Sequence, residues 1–176
     1  NIPSMTTTQR NLMQKILFIS LCAFALQAQA NNLNQLINTK AKKTVAALNQ
    51  ESQRQSHDSD DDSAYRYSLN AKTIKTADLN RDGIKDKVVI LDYCEKTSCH
   101  STTKSSEVVV YIGNQSGNYR FADAKSFDIG AEVAAIKSNG SIQLNIYGFG
   151  PNDPGCCPSV QGRRSYVLKN GKLVRS

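Results

Sequence analysis

Tryptophan is absent from this chain, and histidine and methionine occur only twice each. Without tryptophan the strongest stacking surface for a sugar is missing, which leaves Tyr65, Tyr67, Tyr93, Tyr111, Tyr119, Tyr147 and Tyr166 as the available platform. His57 lies in a charged stretch and His100 follows Cys99, so both read as bystanders rather than bases. Pairing Cys99 with His100 as nucleophile and base is disfavoured, because neighbours on a strand point to opposite faces and oxidation silences the thiol. No Gly-x-Ser-x-Gly elbow, Walker loop or His-Glu-x-x-His is present. The chemistry of an enzyme is therefore not legible here. Long apolar runs are also lacking. The longest, Ile16 to Leu26, has 11 residues, against the ~20 needed to span a bilayer.

That run sits in an informative context. Lys15 supplies a short positive start, and Ala28-Gln29-Ala30 is a small-x-small cleavage signal. Residues 13–30 are expected to form a signal peptide starting at Met13, with residues 1–12 as upstream translation. The alternatives are a buried apolar helix, or lipidation at Cys22, where bulky Leu21 stands in place of a small residue. Cleavage after Ala30 predicts an exported, periplasmic or extracellular product without a transmembrane segment. The formal charge of +7 then falls by two, through loss of Arg10 and Lys15. The remaining cations are scattered, with small clusters at Lys40, Lys42, Lys43 and at Arg163, Arg164. Nucleic-acid binding wants a basic face with interleaved aromatics, and no such face is seen. Weak attraction to anionic envelope surfaces suffices.

Residues 31–50 place Leu33, Leu36, Ile37, Ala41, Val45 and Leu48 at threes and fours, which predicts a helix. The stripe is modest, so a docking or loosely held helix is expected. Residues 51–63 contain no apolar residue and read as a solvated acidic linker ending in Asp60-Asp61-Asp62. From residue 64 to 176 the pattern changes to strands. Lys87–Tyr93 and Glu107–Ile112 are rich in β-branched and aromatic residues, and Ala64–Leu69 and Thr73–Ala77 are shorter runs. Asn139-Gly140 and Asn170-Gly171 mark hairpin turns. The expected fold is mainly β: an antiparallel sheet of hairpins, a small sandwich or open barrel, with one short N-terminal helix.

Asp78-Leu79-Asn80-Arg81-Asp82-Gly83-Ile84-Lys85-Asp86 carries the clearest motif. Oxygen side chains at Asp78, Asn80 and Asp82 alternate, Gly83 permits a sharp turn, Ile84 offers its carbonyl, and Asp86 adds a carboxylate. A calcium site is expected on these five residues; the alternative is an Asx-rich turn that binds no metal. The place where an EF-hand puts its bidentate Glu is Val89, inside a predicted strand. The stretch instead resembles the Asp-x-Asx-x-Asp-Gly-x-x-Asp loops of FG-GAP and related β-repeat proteins.

Cys94, Cys99, Cys156 and Cys157 remain after cleavage, and an even number in an exported chain points to disulfides. Zinc is the competitor, but the Cys94–Cys99 spacing is wide for a knuckle and adjacent cysteines are awkward for tetrahedral ligation. The expectation is two bridges joining Cys94 and Cys99 to Cys156 and Cys157, since up-and-down hairpins bring both loops to one end. Asp153-Pro154-Gly155-Cys156-Cys157-Pro158-Ser159, with the tyrosine-bearing strand and terminal hairpin after it, resembles the LppP/LprE-like family of small exported bacterial lipoproteins and periplasmic proteins. That family often carries an upstream Asp-Gly loop, as here at Asp78–Asp86. This chain lacks the family's usual tryptophan near the last hairpin. The resemblance implies a fold, not an activity. The functional expectation is an exported, non-enzymatic binding module, stabilised by calcium and disulfides, whose partner is a protein or an envelope polymer. A periplasmic inhibitor or immunity protein is the second reading, and a hydrolase of envelope polymers the third.

Overall fold

The computed structural model describes residues 32–56, 66–97, 99, 100, 102 and 104–176. The signal peptide, Cys22, His57, Asp60–Asp62 and residues 57–63 of the linker lie outside them. A helix, α1 (residues 32–56), is followed by eight strands. They are β1 (Tyr67–Ala77), β2 (Asp86–Glu95), β3 (Lys104–Gly113), β4 (Tyr119–Phe127), β5 (Ala131–Ile136), β6 (Ile142–Gly148), β7 (Val160–Lys169) and β8 (Lys172–Arg175). They form two four-stranded antiparallel sheets in the orders β1-β2-β3-β4 and β5-β6-β7-β8, with no closed barrel.

Every connection within a sheet is a hairpin, so turn chemistry sets the topology. Asn170 and Gly171 both adopt positive φ, 50° and 74°, the backbone of a two-residue turn that splays least against strand twist. At the β5–β6 turn only Gly140 is left-handed, and a Cβ there would overlap the Leu79 carbonyl. Glycine is required at position 140 twice over, for conformation and for close approach. The runs read as two strands, Ala64–Leu69 and Thr73–Ala77, are one strand from Tyr67, because a bulge between Leu69 and Ala71 absorbs the irregular step.

The central strands explain the layering. Along β2, Val88 and Ile90 join the cluster of Val108, Val110, Ile112, Ile142, Leu144 and Tyr166 between the two sheets. Val89, Leu91 and Tyr93 point the opposite way, to Leu33, Ile37 and Ala41 of α1 with Val109 and Tyr111. Strands covered on both faces need continuous apolar sequence rather than alternation, which is what Val88-Val89-Ile90-Leu91 and Val108-Val109-Val110 provide.

The helix corrects the sequence expectation. It is a third layer, not a loose appendage: Ile37 is fully buried, and the helix continues to residue 56, into the stretch read as linker. Polar contacts fix it along its length. The Asn32 side chain accepts the Tyr119 N–H of β4 at 2.8 Å. Near the other end, Asn49 accepts the Tyr67 N–H of β1 at 2.6 Å and donates to the Tyr67 carbonyl at 3.4 Å. α1 therefore crosses the sheet obliquely, from β4 to β1. Short apolar residues at Ala41 and Val45 let it lie close, which is why a modest stripe suffices.

Candidate functional site

An oblique helix on a sheet leaves a groove on each flank. The larger, about 1030 Å³, lies over β3 and β4. Its apolar floor and walls come from Leu36, Ala47 and Leu48 of α1, Tyr111 of β3 and Phe121 of β4. Lys40, Lys43, Glu51 and Arg54 of the helix supply charge along its length, with Glu107 of β3. Phe121 is 45% exposed, which is unusual for a large aromatic that still has its ring edge-to-face with Tyr111, centroids 6.3 Å apart.

The polar part of this groove is a compact network. Register places Glu107 opposite Leu91, on the α1 side of the sheet, in line with Val109 and Tyr111. Glu107 is buried and forms an ion pair with Lys40. The Thr44 hydroxyl donates to it at 3.0 Å and the Tyr93 hydroxyl at 3.3 Å. A carboxylate buried away from water needs such partners. Tyr111 is the exception: its hydroxyl is buried and makes no hydrogen bond among the described residues. Burial, with the Glu107 charge adding to it, pushes the Tyr111 phenol up to about 12. Tyr93 is raised further by burial and by Glu107. Both tyrosines are therefore neutral donors at physiological pH, one satisfied and one not.

The Asp78–Asp86 loop joins β1 to β2 and is wedged between the end of β3 and the β5–β6 turn, where Arg81 donates to the Asn139 carbonyl at 3.0 Å. Asp78 accepts the N–H groups of Asp82 (3.2 Å) and Gly83 (2.9 Å). Asp82 accepts the Ile84 N–H at 2.8 Å and the Asn80 side-chain amide at 2.7 Å. Ile84, expected to lend its carbonyl, follows Gly83, whose φ is 84°. Asp86 has left this set. It is fully buried, and its two oxygens accept the N–H groups of Leu79 (2.8 Å) and Gly113 (3.0 Å). Burial raises its pKa, and those amides work against the rise. Asp78, Asn80 and Asp82 thus bond within the loop, whereas both Asp86 oxygens are taken by backbone amides beneath it. Among the described residues no three or more His, Cys, Asp or Glu side chains gather as a metal site.

The cysteine loops do meet at one end of the molecule, where Gly155 lies against Thr102. The pairing nevertheless differs from the expectation. Cys94 bonds Cys99, with Cα atoms 5.3 Å apart, and Cys156 bonds its neighbour Cys157. The reason is that each pair is already adjacent in its own loop. Cys94 is buried at the end of β2 with Cys99 in the turn beyond it, whereas Cys156 and Cys157 face solvent. Asp153 organises that second loop by accepting the N–H groups of Gly150 and Ser159, both at 2.6 Å, and the Ser159 hydroxyl at 2.7 Å. The Gly150 amide, foremost among these donors, holds its carboxyl below the usual range.

Neither loop lies at the large groove, so sequence reasoning missed the residues that line it. One signal was available: Glu107 directly precedes the apolar run Val108 to Ile112, and a charge there demands a partner. No described helix is long and apolar enough to cross a membrane. Comparison with protein-family models, curated proteins and solved structures finds no match to this chain.

Proposed function

We propose that the chain is an exported, non-enzymatic binding module whose ligand occupies the groove between α1 and β3–β4. The observation that carries this reading is the groove itself, whose apolar wall includes Leu36, Leu48 and the 45%-exposed Phe121. A concave apolar surface of this size with charged groups on its rim is what a small-molecule site presents. The occupant that fits is an anionic amphiphile, a class an exported protein meets in the cell envelope. Its apolar chain lies against Leu36, Leu48 and Phe121, and its head faces Lys43, beside the exposed Arg54–Glu51 pair. Turnover is not part of the reading, because Glu107 is already committed to Lys40, Thr44 and Tyr93. Export rests on Lys15, the apolar run and Ala28-Gln29-Ala30. Calcium enters as a weak stabiliser at Asp78, Asn80 and Asp82.

The test is calorimetric titration with dodecanoate below its micellar concentration, beside dodecyltrimethylammonium as a cation of equal chain length. One dodecanoate should bind per chain, with Phe121→Ala weakening it about tenfold, the equivalent of ~1.4 kcal/mol. Equal affinity for both amphiphiles, or binding indifferent to Phe121→Ala, would refute the assignment.

A further inference from the structure

The first strand is built unlike the other edges. β1 is an outer strand, hydrogen-bonded to β2 alone among the described strands. It is also long, 11 residues, and Leu69 through Thr76 are all exposed, so it is bare on both faces as well as along its edge. Neither core cluster draws a buried residue from it. The opposite edge of the same sheet is treated differently. There Asp123 of β4 accepts the Leu173 N–H of β8 at 2.8 Å, so the second sheet folds over it. In the second sheet, the edge strands β5 and β8 have only six and four residues. An open strand of this length presents a row of backbone donors and acceptors to any extended chain.

The second groove lies beside it. About 560 Å³ in volume, it runs between Ala41, Val45 and Ala46 of α1 and Tyr67 to Leu69 of β1. Register adds direction. Leu69, Lys72 and Ile74 pair with Tyr93, Leu91 and Val89, all on the α1 side, so these three side chains share the helix-facing side of β1. Leu69 and Ile74 are 37% and 39% exposed, two apolar contacts flanking one cation. Lys42 and Lys96 rim the groove, Lys72 and Lys75 lie on the strand, and neither β1 nor the groove lining contains an Asp or Glu.

We infer that β1 is a strand-addition site for an extended, acidic segment of a partner protein, seated between β1 and α1. Backbone pairing along β1 supplies affinity, and alternate side chains supply selectivity. Apolar residues of the segment oppose Leu69 and Ile74, and an acid opposes Lys72. A second copy of this chain is the poorer occupant. Full antiparallel overlap of two β1 strands sets Lys72 against its own copy, and like charges directly opposite repel. The site is separate from the groove over β3 and β4 and does not depend on it.

The experiment uses the mature protein and a blocked, fluorescently labelled synthetic peptide of nine residues that sets Val opposite Leu69 and Ile74, Glu opposite Lys72 and Lys75, and Thr at the remaining positions. Two controls accompany it: the same peptide with Lys for Glu, and a version N-methylated at alternate amides. The acidic peptide should bind with a micromolar Kd and slow hydrogen exchange of amides within residues 69–76. N-methylation should weaken it more than tenfold, since it removes backbone donors and keeps every side chain. The variant Lys72→Glu with Lys75→Glu, both exposed and tolerated by the fold, should reverse the preference towards the lysine peptide. The inference is overturned if N-methylation leaves affinity unchanged, if protection falls outside β1, or if no peptide binds. It is equally overturned if sedimentation shows a dimer whose formation protects the β1 amides.

Discussion

Tyr111→Phe removes a single oxygen and tests the groove from two directions. The hydroxyl is buried without a partner, while the ring packs edge-on against Phe121 and within the α1 cluster. Leaving such a group unsatisfied costs about 1–3 kcal/mol of desolvation with nothing in return. The ring, its rotamer and its contacts survive in phenylalanine, and an oxygen-sized void is small. Folded protein without ligand should therefore gain about 1–2 kcal/mol. At about 2–4 °C per kcal/mol for a domain of this size, melting should rise by about 2–8 °C. Most single substitutions in a core destabilise, so the sign alone is diagnostic. Dodecanoate affinity should be unchanged in the same variant, because the hydroxyl lies behind the groove wall. Urea unfolding followed by far-UV circular dichroism gives the first quantity, and calorimetry the second. A Tyr111→Phe protein that is less stable would show that the hydroxyl already has a partner, and a loss of dodecanoate affinity would show that the ligand reaches it.

Lys40→Met strands the buried Glu107 carboxylate with two hydroxyl donors, so unfolding free energy should drop by about 2–4 kcal/mol; adding Glu107→Leu should recover most of it, and a double-mutant cycle without coupling would contradict the pairing. Asp123 is lowered because amides of Leu173 and Ala124 and the Lys125 ammonium outweigh the opposing effect of burial. Its contribution is thus complete above the ordinary carboxylate pKa and lost as pH falls through the depressed value. Asp123→Asn should flatten the acid limb of a stability–pH curve below about pH 4, and an unchanged limb would speak against that linkage. Calcium at 10 mM should raise melting by a few degrees through a site of about 10⁻³ M affinity, Asp82→Ala should abolish the rise, and Asp86→Asn should lower stability yet keep it. Indifference to calcium and chelator would make the loop a turn only. Non-reducing peptide mapping should recover Cys94 linked to Cys99, and its short loop should stabilise by about 2 kcal/mol where a bridge spanning 60 residues would give about 4; a cross-link to Cys156 or Cys157 would restore the alternative pairing.

Local chemistry made much of this molecule legible in advance. Asn139-Gly140 and Asn170-Gly171 located two hairpins because only certain residues tolerate left-handed backbone. The β-branched runs around Val88 and Val108 marked the central strands, and the threes and fours from Leu33 to Leu48 marked the helix. These signals depend on neighbours within a few residues, which a sequence displays directly. What depends on distant partners was not displayed. Cys94 could have reached either cysteine loop, and the turn after β2 brings Cys99 back to it, with Cα atoms 5.3 Å apart. Asp86 fits a calcium pattern by position, yet the Leu79 and Gly113 amides, the latter 27 residues away, turn its carboxylate inward. The α1 stripe is too modest to announce a core layer, and it became one because β2 and β3 present a second apolar face that it covers. The groove, the unpaired Tyr111 hydroxyl and the bare edge of β1 follow from how an oblique helix and two sheets fail to cover one another. That is a property of packed surfaces, which the order of residues alone does not contain.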